Sequence, residues 1–292
     1  MSLSYSTSLH LVAKEEALSL YPGHRTSNQE PGRRHFVLVH GAAHGAWCWY
    51  KVSALLKAAG HRVTALDLKA SGGNPANLDS VTSLFDYSSP LLDFIGSLPP
   101  EESVVLVGHS LGGSSISIAM ELYPSKISVG VFLAAVMRPP SSLNRNSEMP
   151  KQTSFKRKEE IVPQPTMKYH YGNGPDNPAT GFSFSPEFYK TVHYRLSPAE
   201  DYELGMSLLR YWPCKAEDKN EVNLTEMNYG RVRRVFVICD PETAADWQTA
   251  YIKDFPPEEV VTLEGSDHMA MFSQTKSLVA TLEKIGAKYL GK

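Results

Sequence analysis

Hydrophobic positions along the chain fall into short continuous runs separated by amphipathic stretches. HFVLVH at His35–His40, RVTAL at Arg62–Leu66, VVLV at Val104–Val107, SVGVFLA at Ser128–Ala134, RVFVIC at Arg234–Cys239 and EEVVTL at Glu258–Leu263 read as strands. Between them, helical spacing predicts helices over Trp47–Ala58, Ser83–Leu98, Leu111–Tyr123, 243–253 and 270–289. Gly60 marks one helix end, and Pro99 with Pro100 marks another. Regular alternation of buried strands and helices predicts a mostly parallel central sheet flanked by helices on both faces. In such sheets, sites form beyond the carboxyl ends of the strands. The loops at 41–46, 67–73 and 108–112 all fall there.

The alternation stops after Ala135. Residues 138–228 carry prolines at 139, 140, 150, 163, 165, 175 and 178. Eleven of the 29 aromatic residues lie between 150 and 215, a density that suits an inserted cap over the site. Most of these aromatics are expected to form the cap's own small core, with a few lining an apolar pocket. Ser197-Pro198-Ala199-Glu200 resembles an N-cap, a first-turn proline and a capping-box glutamate, so a helix should run to about Leu209. The expected layout is an extension at 1–34, an α/β core at 35–137 and 229–292, and a cap at 138–228.

Residues 1–34 begin Ser-rich and end polar, which suits a flexible extension. Glu15 and Glu16, and the lack of any arginine before Arg25, argue against an organelle signal there. A cytoplasmic location is the expectation. No run reaches the length of a membrane span.

The bulk numbers narrow the functional classes. The chain has 292 residues, 42% hydrophobic and 21% charged, enough for one large domain with an insertion. A net charge of -2 gives no reason to expect a nucleic-acid or anionic-membrane partner. Cys48, Cys214 and Cys239 are odd in number and far apart, so neither a disulfide framework nor a zinc site is expected.

Candidate chemistry centres on Gly108-His109-Ser110-Leu111-Gly112, which fits G-x-S-x-G between a strand and a helix. That context makes Ser110 a nucleophile at a strained turn. A serine hydroxyl needs an adjacent base, and His268, in the loop after the last strand, follows Ser110 in the expected chain order. The acid should come from the loop after Cys239, where Asp240 and Glu242 are both available. Backbone N–H groups of Leu111 and Ala42 are the expected oxyanion donors. His40, His44 and His109 sit beside glycines and should order backbone or shape the pocket.

His40-Gly41-Ala42-Ala43-His44-Gly45-Ala46-Trp47, Gly108–Gly113 and Gly265-Ser266-Asp267-His268-Met269-Ala270-Met271 together resemble the plant methylesterase family of α/β hydrolases. That family includes methyl salicylate, methyl jasmonate and polyneuridine aldehyde esterases, and the related hydroxynitrile lyases. The resemblance implies the α/β-hydrolase fold and an esterase that cleaves small methyl esters through an acyl-serine, with no cofactor and no metal. Its implied partner is a small-molecule ester, with a homodimer as an allowed assembly. His44, Phe184, Tyr189 and Met269 are expected to line the substrate pocket. The lyases carry threonine after the first histidine and lysine after the catalytic one; here Gly41 and Met269 fit the esterase branch. Two positions depart from the family. Its acid, usually aspartate, is Glu242 here, which favours Glu242 over Asp240 by position. The usual Met-Pro-Asp segment is Met137-Arg138-Pro139, with Arg138 expected to face water. Two other readings stay open: a lyase or other elimination enzyme in the same pocket, and a ligand-binding relative with weak turnover.

Overall fold

A computed structural model describes residues 32–142, 156–157, 160–161, 166–217, 222–239 and 245–289. Arg34–Lys292 forms one compact unit. The expectation of a flexible extension falls almost wholly outside the described residues.

Four strands open the unit: β1 (His35–Val39), β2 (Arg62–Leu66), β3 (Val104–His109) and β4 (Ile127–Leu133). In the insert, among the described residues, a pair of two-residue strands (Lys156–Arg157 against Glu160–Ile161) precedes three more: β5 (Met167–His170), β6 (Gly181–Phe184) and β7 (Trp212–Pro213). The last two are β8 (Arg234–Ile238) and β9 (Glu259–Thr262). The main sheet has the order β9-β8-β4-β3-β1-β2, and every pair in it is parallel. β1 and β3 are buried along their whole length, while the edge strands β2 and β9 are only partly covered. This explains why the central strands read as unbroken apolar runs and the edges carry Arg62, Thr64, Glu259 and Thr262.

Among the described residues, the helices of nine residues or more are α1 (Tyr50–Ala58), α2 (Leu84–Ser97), α3 (Gly112–Leu122), α4 (Ala199–Leu208), α5 (Ala245–Asp254) and α6 (Thr275–Lys288). Ser83 caps α2 by accepting from the Asp86 N–H at 3.0 Å. α1 is preceded by a tighter 3₁₀ turn, Ala46–Trp49. The predicted helix over 270–289 is broken at Gln274, leaving one turn, Ala270–Ser273, ahead of α6.

The insert differs from its sequence reading in two ways. β5, β6 and β7 form a three-stranded antiparallel sheet that the aromatic, proline-rich pattern did not suggest. Its aromatics are also not mainly a core of their own. Phe182, Tyr189, Tyr194 and Trp212 bury in the same apolar cluster as the main sheet. Only Phe188 and Val192, with Phe184 against them, form a separate cluster. The insert has too little apolar surface to close a second core and so extends the first.

Among the described residues, no helix is long and apolar enough to cross a membrane.

Candidate active site

β3 ends at His109 and α3 begins at Gly112, so the chain turns sharply at Ser110. Ser110 has φ 53°, the left-handed region that costs a non-glycine residue about 1–3 kcal/mol. Three backbone hydrogen bonds hold it there. The Ser110 N–H donates to Leu133 O at 3.2 Å, and its carbonyl accepts from Gly113 N at 3.1 Å and Val136 N at 3.0 Å. The loop after β1 presses against this turn. A Cβ on Gly112 would lie 2.4 Å from His40 O, and one on Gly41 would lie 2.8 Å from Ser110 Cβ. Neither position tolerates a side chain without moving backbone or Ser110. Among the described residues, the N–H groups of Ala42 and Leu111 donate no hydrogen bond. Both belong to the two segments in contact, and that of Leu111 stands at the N-terminus of α3, where the helix dipole favours negative charge.

Histidines surround the turn, and their bonding separates their roles. His40 Nδ1–H donates to Gly41 O at 2.8 Å, and Nε2 accepts from Leu68 N at 3.2 Å. His44 Nδ1–H donates to Ala42 O at 2.8 Å, and its Nε2 accepts from the Tyr194 hydroxyl at 2.7 Å. Both ring nitrogens of each are therefore engaged in ordering the loop after β1. His44 offers a substrate its ring face and no free nitrogen. His109 Nε2–H donates to His268 O at 2.9 Å, which ties the elbow to the loop after β9.

His268 itself is 9% exposed, with its ring centroid 4.7 Å from that of His109 and 4.6 Å from that of His193. Burial first, and then the neighbouring His193 and His44, push its pKa well below the ordinary value. Its imidazole is thus neutral and able to accept a proton at neutral pH. Among the described residues, no hydrogen bond joins Ser110 Oγ to the His268 ring. Apo sites commonly show such contacts open, to be tightened by substrate.

Asp267, beside the base, clasps the insert to the core. It is fully buried, and Oδ2 accepts from Leu196 N at 2.9 Å and Ser197 Oγ at 2.8 Å. Oδ1 accepts from Met269 N at 2.9 Å and Ser273 Oγ at 2.7 Å. Ser197 is therefore not the N-cap its sequence context suggests. Pro198 holds that position in α4, and the Ser197 hydroxyl serves Asp267 instead. Arg210 makes a second fastening. Its N–H donates to Ala43 O at 3.0 Å, and Nη1 donates to Gly72 O at 3.2 Å and Asn74 O at 2.8 Å. Asp67 joins the loops at 41–46 and 67–73 by accepting from Ala46 N at 2.6 Å and Gly73 N at 3.0 Å.

The expected pocket residues converge. Tyr189 and His193 bound a short π-helical turn, a feature frequent at functional sites. The Tyr189 ring lies 6.1 Å from His44 and 5.8 Å from Phe184. Met269 is fully buried next to the base. Arg138 is half-buried, where the sequence suggested a water-facing side chain. Asp240 and Glu242 lie outside the described residues. The strand exit leading to them is pinned by Gln248, which accepts from Cys239 N at 3.1 Å and donates to Cys239 O at 2.6 Å. Sequence reasoning missed His193, Tyr194, Arg210, Gln248 and the bonding role of Asp267. For His193 the sequence carried no signal, since a histidine among tyrosines and phenylalanines sets no pattern. Among the described residues no group of histidines, cysteines and carboxylates is placed to hold a metal ion.

Comparison with known proteins identifies the family. Residues 36–281 match the alpha/beta hydrolase family. The chain is 45% identical to methyl jasmonate esterase 1 of Vitis vinifera, over 89% of this chain and 99% of that one. It resembles the crystal structure of a methylesterase from Arabidopsis at TM-score 0.76 and 35% identity, over 87% of this chain and 99% of that one. It also resembles tomato methylketone synthase I, complexed with 2-tridecanone, at TM-score 0.77 and 40% identity, over 88% of this chain and 99% of that one. The chain belongs to the alpha/beta hydrolase family, in the branch that holds the plant methylesterases.

Proposed function

We propose that the protein is a serine carboxylesterase that hydrolyses a small, largely apolar methyl ester. The observation that carries this reading is Ser110, held at φ 53° between a buried strand and a helix, with a neutral, buried His268 beside its neighbour His109. In this mechanism Ser110 Oγ attacks the ester carbonyl while His268 takes its proton. The oxyanion receives the N–H groups of Ala42 and Leu111, which have no other acceptor among the described residues. Collapse of the tetrahedral intermediate breaks the bond to the methoxy oxygen, and the His268 imidazolium protonates the departing methoxide to methanol. Water, deprotonated by His268, then cleaves the acyl-serine to release the acid and restore Ser110. Glu242 is assigned as the acid that orients His268, with Asp240 as the alternative. His44, Phe184, Tyr189 and Met269 are assigned as walls of the pocket.

The relatives' names support the substrate class, since they include a methyl jasmonate esterase and a methylesterase. The test is turnover of methyl esters of aromatic, cyclopentyl and alkaloid-like acids, with Ser110→Ala alongside. Ser110→Ala should lose on the order of 10³-fold or more in rate and keep its fold by circular dichroism. Ester cleavage near the parent rate in Ser110→Ala removes Ser110 from the mechanism and turns the assignment toward elimination chemistry.

A further inference from the structure

Three imidazoles lie side by side at the base, His109, His268 and His193, and the mechanism above uses only the middle one. His193 ends the π-helical turn of the insert and is 9% exposed. Its carbonyl accepts from Met269 N at 3.3 Å, so its backbone is fastened to the residue after the base. Its ring packs 4.6 Å from that of His268. Phe184 at 5.2 Å, Phe188 at 5.1 Å and Tyr189 at 5.3 Å also pack against the ring.

In this apolar box the His193 side chain makes no hydrogen bond to any described residue, and its Nδ1 is sealed from water with no partner. Among the described residues, His40 and His44 have both nitrogens engaged and His109 has one engaged and Nδ1 unpaired, whereas His193 has no side-chain bond at all. Buried polar atoms are almost always satisfied, so an unsatisfied one calls for a ligand or a strained role. A leucine or phenylalanine would fill the same box without that cost.

We propose that His193 is a specificity-determining residue, which hydrogen-bonds an oxygen substituent on the acyl part of the substrate. The inference rests on the esterase reading and deepens it. A neutral imidazole carries one N–H donor and one acceptor, so it serves a keto oxygen through the donor and a hydroxyl through either. The aromatic walls suit the apolar body of the acid, and contact with the His268 ring places the interaction beside the reacting carbonyl. A pocket with a buried unpaired donor selects against analogues that cannot use it, because they leave it unsatisfied.

The test uses three methyl esters of one carbon skeleton: the oxo acid, the matching hydroxy acid and the unsubstituted acid. The readout is the ratio of kcat/KM for each oxygenated ester to that for the unsubstituted one. In His193→Leu this ratio should fall about tenfold or more, with His193→Gln retaining part of it. A ratio within about twofold of the parent value in both His193→Leu and His193→Phe overturns the assignment. Binding of the same esters to Ser110→Ala, measured by calorimetry, separates the two readings. If the parent hydrolyses none of them, yet Ser110→Ala prefers the oxygenated esters and loses that preference on adding His193→Leu, then His193 keeps its role and the esterase reading fails. If adding His193→Leu leaves the binding preference unchanged, the assignment of His193 fails.

Discussion

The Tyr194 hydroxyl donates to His44 Nε2 across 2.7 Å, and His44 in turn donates from Nδ1 to the carbonyl of Ala42. A residue of the insert thereby steadies Ala42, whose own N–H is assigned to the oxyanion. Tyr194→Phe leaves a buried acceptor unpaired and should cost about 1–2 kcal/mol of stability. It should also lower kcat more than it raises KM, because the loop geometry matters most in the transition state. Thermal unfolding and steady-state kinetics check both. Lost stability with unchanged kcat would detach His44 from the oxyanion loop.

Asp267 places four acceptor contacts on two oxygens. An asparagine there keeps the shape but turns an acceptor into a donor facing two donors. Asp267→Asn is expected to lose about 2–3 kcal/mol, seen as a lower urea midpoint. Proteolysis should then cut first within the insert, since both bonds to Leu196 and Ser197 anchor it. A single cooperative loss with no preferential nicking would show that the clasp is not local.

Acid should destabilise the fold early. His40, His44, His109, His193 and His268 all have depressed pKa values, chiefly through burial, with His44 lowered to about 4. The unfolded chain takes up these protons near pH 6.5, while the folded one resists them until each depressed value is reached. Stability is therefore full above about pH 6.5 and falls as pH drops toward the depressed values, by about 1.4 kcal/mol per pH unit for each histidine. Urea unfolding at pH 7 and pH 5 measures this, and equal midpoints would contradict it. For the same reason the acid limb of kcat/KM, set by protonation of His268, should lie below pH 6.5.

The acid assignment has its own test. Glu242→Gln should lower kcat by roughly 10²–10⁴-fold, as when a triad acid is neutralised, while Asp240→Asn should change little. The reverse order moves the role to Asp240.

Gly112→Ala should be the most damaging small change near the site. Its methyl would meet His40 O at 2.4 Å, in a turn fixed on both sides. We expect loss of soluble enzyme or a fall of at least 3 kcal/mol in stability, as for other severe overpacking. A stable, active Gly112→Ala would mean the two loops can part.

How legible the sequence was depended on whether a residue's partners are local. β1, β3, β4 and β8 read correctly because both faces are buried and the apolar runs are unbroken. Ser110 was legible for a similar reason, since the strand, turn and helix that strain it are contiguous. Ser197 misled because its neighbours suit a helix cap, whereas its real partner is 70 residues away. His193 was silent because a histidine amid tyrosines and phenylalanines gives no periodic signal. Its meaning lies in an unmade bond, and only assembled coordinates reveal that. β5–β7 were missed because their two to four residues are too few to show alternation.

The bond from His109 to His268 spans 159 residues of chain. During synthesis, the loop after β1, the elbow and α3 all emerge long before the histidine proposed to activate Ser110. A nascent chain thus carries Ser110 without its proposed base for roughly half of its translation. The missing part arrives only when β9 has added to the edge of the sheet and Asp267 has fastened the insert. Catalytic power is therefore a property of the finished chain alone. A chain cut before His268 lacks the proposed base and should be inert toward esters rather than merely slow.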